Sequence, residues 1–280
     1  MNQWHLQALT GSAFAEVETE ALGRRYAQSV TLLRNQVKRQ RVLELAARSR
    51  RWNYSGHAYF NLITPLDSAL LLDSTAPKDA DEWLTLRHVF RELNLRGNEL
   101  TVINGCEGAL LRPNPSDDHV SLTTGMLYAG AKCVVSTLWA VNDLSSALLS
   151  DRFHEELESG KCPATALHEA QRWLRQDIRS GLELRDKWLP PLAALLKSAD
   201  LRAACCEEAN KYALSHPDRP PFASPVHWAA FIASGLAYPP TLPAMSQKQL
   251  AELDQSSAIK DTSPTLHFDA VPPFHKPFIA

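Results

Sequence analysis

The stretch LTVINGC, residues 100–106, decides the fold of this chain. It begins with apolar and β-branched residues without interruption, and Gly105 and Cys106 end the run. A second stretch of the same kind, CVVSTLW, occupies residues 133–139. Uninterrupted runs of this length are typical of strands buried on both faces, as in a parallel sheet covered by helices. We therefore predict that both stretches are central strands of an α/β domain.

Helical patterns alternate with further strand patterns on both sides of these two runs. The helical patterns, with apolar residues at helical spacing, are residues 16–28, 35–50, 123–131, 143–159, 163–177 and 192–214. The strand patterns are residues 29–33, 51–57 (RWNYSGH) and 228–234 (WAAFIAS). Strands that alternate with helices predict an α/β sandwich.

The composition narrows the class of protein. The 280 residues are 45% hydrophobic and 21% charged, which is enough apolar material for a sizeable core. The formal charge of −2 gives no whole-chain field that would attract nucleic acid or an anionic membrane. Apolar stretches fall far short of the roughly 20 residues that span a bilayer, and the N-terminus has no signal-peptide pattern. We expect a soluble, cytoplasmic protein without nucleic-acid or membrane contacts.

Cysteine, histidine and proline usage adds three expectations. The five cysteines are odd in number and irregular in spacing, unlike a secreted disulfide framework or a zinc site. No two histidines have the spacing of metal ligands on one element, so we expect no metal. From Leu236 onward there is no glycine and seven of the 18 prolines occur. We therefore predict one domain over residues 1–235, followed by an extended or disordered tail over residues 236–280.

Two residues with catalytic chemistry follow predicted strands. His57 ends the pattern RWNYSGH, and Cys106 ends LTVINGC. In open α/β sheets the active site lies at the carboxyl ends of the parallel strands. Their separation, 106 − 57 = 49 positions, leaves room for the crossover connection that neighbouring parallel strands require. The spacing permits a thiol–imidazole dyad; the alternative is a buried strand-end cysteine and an unrelated loop histidine.

A thiol–imidazole pair is suited to nucleophilic attack on acyl groups. A free thiol with a pKa of about 8.5 is only a few per cent thiolate at neutral pH, and a neighbouring imidazole takes its proton during attack. The imidazole later protonates the leaving amine, while preorganised N–H groups hold the oxyanion. The backbone N–H groups of Ala58 and Cys106 are the candidates for that oxyanion hole.

The residues around both positions resemble one known family. The motifs that carry the resemblance are SGHAYFN (residues 55–61), PLDSALLL (65–72), LNL (93–95), NGCEG (104–108), GMLYAGA (125–131), VVSTLWAVND (134–143), ALHEAQ (166–171) and HWAAF (227–231). They occur in the order typical of the CHAT family, the caspase-like domains often found behind tetratricopeptide repeats. The chain resembles a CHAT domain from about residue 16 to residue 235.

This resemblance implies a fold, an activity and partners. The fold is a caspase/haemoglobinase-like three-layer sandwich with a mostly parallel central sheet flanked by helices. The activity is that of a cysteine endopeptidase on a protein substrate, with His57 in the position of the catalytic histidine and Cys106 in that of the nucleophile. The resemblance also implies no cofactor, and regulation by a partner protein or an upstream tetratricopeptide-repeat region.

Departures from the family pattern leave alternatives open. The family commonly has Gly at the position of Ala58, Ala at the position of Gly105, and an apolar strand before the first helix. Only residues 2–9 are available for that strand; either they form it, or the chain is the C-terminal part of a longer protein. A catalytically silent scaffold that binds a partner, or a thiol-dependent transferase or esterase, therefore remains an alternative function.

Three further residues are candidates for the substrate pocket. Asp143 lies near the expected substrate edge, where an acid would favour a basic residue on the amino side of the scissile bond (P1). As an alternative, Asp143 caps the helix that follows. Trp139 is either a pocket wall or a core residue. Glu107 is adjacent to the proposed nucleophile and either shapes access to it or lies on the surface.

Overall fold

A computed structural model describes residues 4–9, 13–26, 28–33, 36–61, 63–72, 83–106 and 121–236. Its strands are β1 (Trp4–Leu9), β2 (Ser29–Leu33), β3 (Ser49–Tyr59), β4 (Ala69–Leu71), β5 (Trp83–Thr85), β6 (Leu100–Cys106), β7 (Cys133–Thr137) and β8 (Phe231–Gly235). Its helices are α1 (Ala13–Arg25), α2 (Arg39–Ala46), α3 (Leu86–Glu92), α4 (Leu122–Tyr128), α5 (Asp143–Glu158), α6 (Pro163–Gln176), α7 (Gly181–Glu183), α8 (Leu189–Ala194) and α9 (Ala199–Ser215). A π-helical segment, Leu184–Trp188, joins α7 to α8.

The strands form a mixed, mostly parallel sheet. Its order is β2-β1-β3-β6-β7-β8, and all neighbours are parallel except β8, which runs antiparallel to β7. The short strands β4 and β5 extend the end of β3 as an antiparallel ribbon. The first strand is present, because residues 4–9 pair with β2 on one side and β3 on the other. With helices on both faces, the predicted three-layer α/β sandwich is confirmed.

Alternate residues of the central strands enter two separate cores. On β6, Val102 packs with α1, α5 and α6, whereas Ile103 packs with α2, α3 and α4 on the opposite face. On β7, Val135 and Val134 divide in the same way. Since successive strand residues point to opposite faces, a strand covered on both sides is mostly apolar and shows no polar–apolar alternation. This explains the uninterrupted runs that predicted both strands.

Helices α1 and α5 cover one face and are joined to each other by charge. The Arg25 guanidinium donates to Asp151 Oδ1 at 2.5 Å and to Glu158 Oε2 at 2.8 Å. Each helix follows a parallel strand of the sheet, α1 after β1 and α5 after β7. Their N-terminal ends therefore lie at the carboxyl edge of the sheet, on either side of the ends of β3 and β6.

Several predicted boundaries are wrong. The helix predicted over residues 35–50 ends at Ala46, because Ser49 already pairs with Trp4 of β1. The pattern over residues 192–214 is two helices, since the chain turns after α8 and the Ser198 side chain caps α9. The last strand begins only at Phe231, after a 3-10 helix and a turn.

The prediction for the tail, residues 236–280, lies outside the described residues beyond Leu236. None of the helices in the described part of the chain combines the length and the apolar character needed to cross a membrane.

Candidate active site

The carboxyl ends of β3 and β6 place the two predicted catalytic positions next to each other. The strands are parallel, and their register runs from Arg51 opposite Leu100 to His57 opposite Cys106. Adjacent strands lie roughly 4.8 Å apart, so the backbones of His57 and Cys106 are direct neighbours. The imidazole of His57 is exposed to solvent.

The backbone at His57 is fixed where β3 passes from one partner to another. His57 is the last residue paired with β6, and Ala58 is the first paired with β4, opposite Leu70. The buried Tyr54 hydroxyl lies 2.6 Å from the carbonyl oxygen of His57 and 2.9 Å from that of Leu71. Since the hydroxyl has a single hydrogen, the two acceptors share it. Ala58 lies within a strand, where an extended backbone accepts a methyl group as readily as glycine.

A pocket of about 90 Å³ opens beside His57 at this edge. It is lined by the N-terminal half of α1, the ends of β3, β6 and β7, and the beginning of α5. Roughly 10–15 Å³ of space for the centre of a water-sized sphere already holds one water, so the pocket has room for several waters or the end of one side chain. Within the described residues, no group of three or more His, Cys, Asp or Glu side chains is placed to hold a metal ion.

A carboxyl group lies at the inner end of this pocket. Glu18 of α1 is only 3% exposed, and its Oε1 accepts a hydrogen bond of 2.7 Å from the Ser150 hydroxyl of α5. Its Oε2 accepts one of 2.6 Å from Asn104 Nδ2, two residues before Cys106. Burial raises the pKa of Glu18, and the hydrogen bonds from Ser55, Ser150 and Asn104 only partly offset that effect.

Further hydrogen bonds fix the ends of β6 and its neighbours. The Ser146 hydroxyl of α5 donates to Asn104 Oδ1 at 2.9 Å, so both ends of the Asn104 amide are held. The Thr137 hydroxyl at the end of β7 donates to the carbonyl oxygen of Gly105 at 2.6 Å. The backbone immediately before Cys106 is therefore anchored to α1, α5 and β7.

The three predicted pocket residues have different positions. Asp143 is exposed and lines the outer part of the pocket. It does not cap α5, because Asn142 is the N-cap residue and accepts a hydrogen bond from the backbone N–H of Ser145. Trp139 does not line the pocket; it packs against the core, and its indole N–H donates to a backbone carbonyl in the 3-10 helix before β8. Glu107 lies outside the described residues.

Sequence reasoning missed Glu18, Ser55 and Asn104, although the sequence contains a signal for each. Ser55 and Asn104 precede His57 and Cys106 by two positions, and residues two apart share a face of a strand. Glu18 lies on the apolar stripe of α1, three and four positions before buried residues of the same helix. A glutamate on a buried helix face is the signal that could have found it.

The comparison with known protein families extends over most of this fold. A family model described as the CHAT domain matches residues 2–236, which include all of the described elements. The chain belongs to the CHAT family. The family predicted by the motifs around His57 and Cys106 is thereby confirmed.

Solved structures similar to this CHAT domain include two proteins. One is the separase–securin complex of Saccharomyces cerevisiae, with 13% identity, a TM-score of 0.42, and coverage of 61% of this chain and 11% of that one. Another is the complex of the pro- and mature domains of Porphyromonas gingivalis RgpB, with 12% identity, a TM-score of 0.42, and coverage of 63% and 44%. The match thus covers less than half of either longer chain. The comparison of this chain with curated proteins found no match.

Proposed function

We propose that this CHAT domain is a cysteine endopeptidase that cleaves a protein substrate through His57 and Cys106. The observation that carries the proposal is the register of β3 and β6, which makes these two residues neighbours at the carboxyl edge of the sheet beside a pocket. Membership of the CHAT family supports it, because the match to the family extends over both residues.

In the proposed reaction the thiol of Cys106 transfers its proton to His57 as the sulfur attacks the scissile carbonyl carbon. The carbon–sulfur bond forms, the carbonyl π electrons move to oxygen, and the N–H groups of Ala58 and Cys106 stabilise that oxyanion. When the oxyanion collapses, the carbon–nitrogen bond breaks and the amine leaves with the proton from His57. Water, deprotonated by His57, then hydrolyses the thioester and restores the thiol.

The pocket beside His57 is proposed to receive the P1 side chain. Asp143 at its outer end contributes to that recognition, and Glu107 is proposed to shape access to the nucleophile. We further propose that a partner protein or an upstream tetratricopeptide-repeat region regulates the activity, and that the protein acts in the cytoplasm.

Two sequence features favoured a catalytically silent scaffold, and both have ordinary structural explanations. Residues 4–9 supply the first strand, and Ala58 has a backbone that does not need glycine. The endopeptidase is therefore preferred to the scaffold. The thiol-dependent transferase or esterase would use the same pair with a different acceptor, and a peptide probe distinguishes it.

The test is covalent labelling by peptidyl acyloxymethyl ketones that differ in P1, followed by intact mass. We expect a single adduct in the wild type and none in Cys106→Ala or His57→Ala. Cys162→Ser is the matched control, since it removes a partly exposed thiol outside the proposed site and should leave labelling unchanged. Equal labelling of Cys106→Ala would reject Cys106 as the nucleophile, and no adduct in a folded wild type that cleaves no peptide would reject a constitutively active endopeptidase.

A further inference from the structure

Two glutamates in the described part of the chain are almost completely buried, and they differ in their partners. Glu156 on α5 forms ion pairs with Arg152 and Lys161, and although burial alone would raise its pKa, these cations hold it below the usual value. Glu18 receives hydrogen bonds from Ser55, Ser150 and Asn104, which are all neutral. No Lys or Arg among the described residues pairs with it.

An unpaired carboxyl in this position needs a reason. Buried charges in proteins are ordinarily paired, because removal of a charge from water costs far more than a neutral hydrogen bond returns. Burial accordingly raises the pKa of Glu18 above the ordinary carboxyl value, so the free pocket favours the protonated form. A cation that entered the pocket would supply the missing counter-charge.

The pocket has the shape and polarity for one class of cation. Phe14, Ala15 and Val141 provide apolar surface, the exposed Asp143 lies at the outer end, and the buried Glu18 lies at the inner end. The side chains that line it in the described chain include no Lys or Arg. A side chain with an apolar stem and a positively charged end matches this order from mouth to base.

The acceptor capacity of Glu18 is not exhausted by its present partners. A carboxylate has about four lone-pair directions on its two oxygens. Ser150, Asn104 and Ser55 occupy three of them. An ammonium or guanidinium group can therefore bind Glu18 without displacing the hydrogen bonds that hold Asn104 in place.

We propose that Glu18 is a specificity-determining residue of this pocket, and that it selects a long basic P1 side chain, lysine or arginine. The role in cleavage depends on the proposed endopeptidase function. The preference of the pocket for a cation does not, and it can be measured in a protein that lacks the nucleophile.

The first test compares peptide substrates that differ only in P1, with Arg, Lys or Leu, in the wild type, Glu18→Gln and Glu156→Gln. We expect the wild type to prefer Arg and Lys, and Glu18→Gln to lose about tenfold or more in kcat/KM for these two, with Leu unaffected. Glu156→Gln, which removes a buried carboxyl outside the pocket, should preserve the preference. A wild type that prefers Leu, or a Glu18→Gln loss that is equal for all three substrates, would overturn the proposal.

The second test needs no catalysis and uses the Cys106→Ala protein. Agmatine and n-butylamine, which mimic the ends of Arg and Lys, are titrated against n-butanol of similar length, with NMR shifts of pocket residues as the readout. We expect both amines to bind more tightly than the alcohol, with an affinity that rises with pH as Glu18 ionises. Glu18→Gln should remove the advantage and the pH dependence.

These outcomes separate the two proposals. If agmatine binds through Glu18 but no peptide is cleaved or labelled, a constitutively active endopeptidase is rejected and the cation pocket stands. If peptides are cleaved without a basic preference, and the amines bind no better than butanol, the role of Glu18 is rejected and the endopeptidase stands. Should Glu18→Gln fail to fold, the pH dependence of agmatine binding to a protein with His57→Ala, Cys106→Ala and Asp143→Asn decides, because Glu18 is then the one ionisable side chain that lines the pocket among the described residues.

Discussion

The hydroxyl of Tyr54 holds the backbone on which His57 depends. It bridges the carbonyl oxygens of His57 and Leu71, and its ring is completely buried. Tyr54→Phe leaves both carbonyls without this donor, which costs about 1–2 kcal/mol of unfolding free energy. We also expect kcat to fall more than KM changes, because the backbone that carries the imidazole is no longer held while the pocket is intact.

Urea unfolding and steady-state kinetics check this prediction. Tyr212→Phe is the matched control, because Tyr212 on α9 is half-buried and its hydroxyl makes no hydrogen bond with the described residues. Equal stability and kinetics in both variants would show that the Tyr54 hydroxyl does not hold His57.

The cysteines outside the site differ in expected reactivity. A hydrogen bond with the Thr165 hydroxyl lowers the pKa of Cys162, at the start of α6, whereas burial raises the pKa of Cys133 and of Cys205 to about 11. Because the thiolate is the nucleophile, iodoacetamide at neutral pH should modify Cys162 far faster than the two buried thiols. Peptide mass spectrometry of the Cys106→Ala protein over time measures the order. Comparable rates at Cys133 would contradict the burial on which the prediction rests.

At the scale of elements, one glycine determines how α7 packs on α9. A Cβ atom at Gly181 would lie 2.2 Å from the carbonyl oxygen of Tyr212, and the Gly181 N–H already donates to the carbonyl of His216 at 2.7 Å. Gly181→Ala must therefore separate the two backbones, at a cost of about 1–3 kcal/mol. Gly97→Ala, where a Cβ would have no atom within 4 Å, should change the unfolding free energy by less than about 0.5 kcal/mol. Urea unfolding of both variants compares them, and similar values would contradict the packing.

The elements that could be predicted from the sequence are those whose burial produces a recognisable apolar pattern in their own residues. The runs over β6 and β7 show no polar–apolar alternation because each strand borders two cores. The strands β4 and β5 have three residues each, too few to show a period; β4 pairs with the end of β3, and β5 pairs with β4. The end of α2 was predicted too late for the same reason. Ser49 is a strand residue because it pairs with Trp4 of β1, and its neighbours in the sequence do not reveal that pairing.

The candidate site could likewise be predicted only where local sequence patterns reveal it. His57 and Cys106 each end a strand pattern, so their position at one edge follows from the parallel sheet. The partners of Glu18 come from three other elements, β3, β6 and α5, and no spacing along the chain connects them. The capping role predicted for Asp143 was wrong by one position, because Asn142 is the N-cap residue of α5.

At the scale of the whole molecule, α1 connects the pocket to distant parts of the fold. Glu18 is held by β6 and α5, Arg25 pairs with the other end of α5, and Glu20 accepts from the backbone N–H of Lys197 before α9. The protonation of Glu18 therefore acts on contacts that stabilise the entire domain, and it should be visible in global unfolding.

The pH dependence of stability gives this last prediction a definite sign. The folded protein holds the Glu18 proton more tightly than the unfolded chain does, because the pKa is raised above its ordinary value of 4.5. The contribution of this proton to the unfolding free energy is complete below pH 4.5 and is lost as the pH rises through the raised pKa of Glu18. The unfolding free energy of the wild type should therefore fall relative to that of Glu18→Gln as the pH rises from 4.5 through the raised pKa. Urea unfolding of both proteins across this range measures the difference in unfolding free energy. Titratable groups that the two proteins share contribute equally to both values and cancel.

Glu156→Gln is the control with the opposite sign. Because Lys161 and Arg152 outweigh burial and lower the pKa of Glu156, its contribution is present above 4.5 and is lost only at lower pH. The difference between wild type and Glu156→Gln should therefore be constant over the range in which that of Glu18→Gln changes. A constant difference for Glu18→Gln as well would show that its carboxyl is not an uncompensated buried group. Agmatine should restore the stability of the wild type at the upper end of the range, since a cation in the pocket binds only the folded protein.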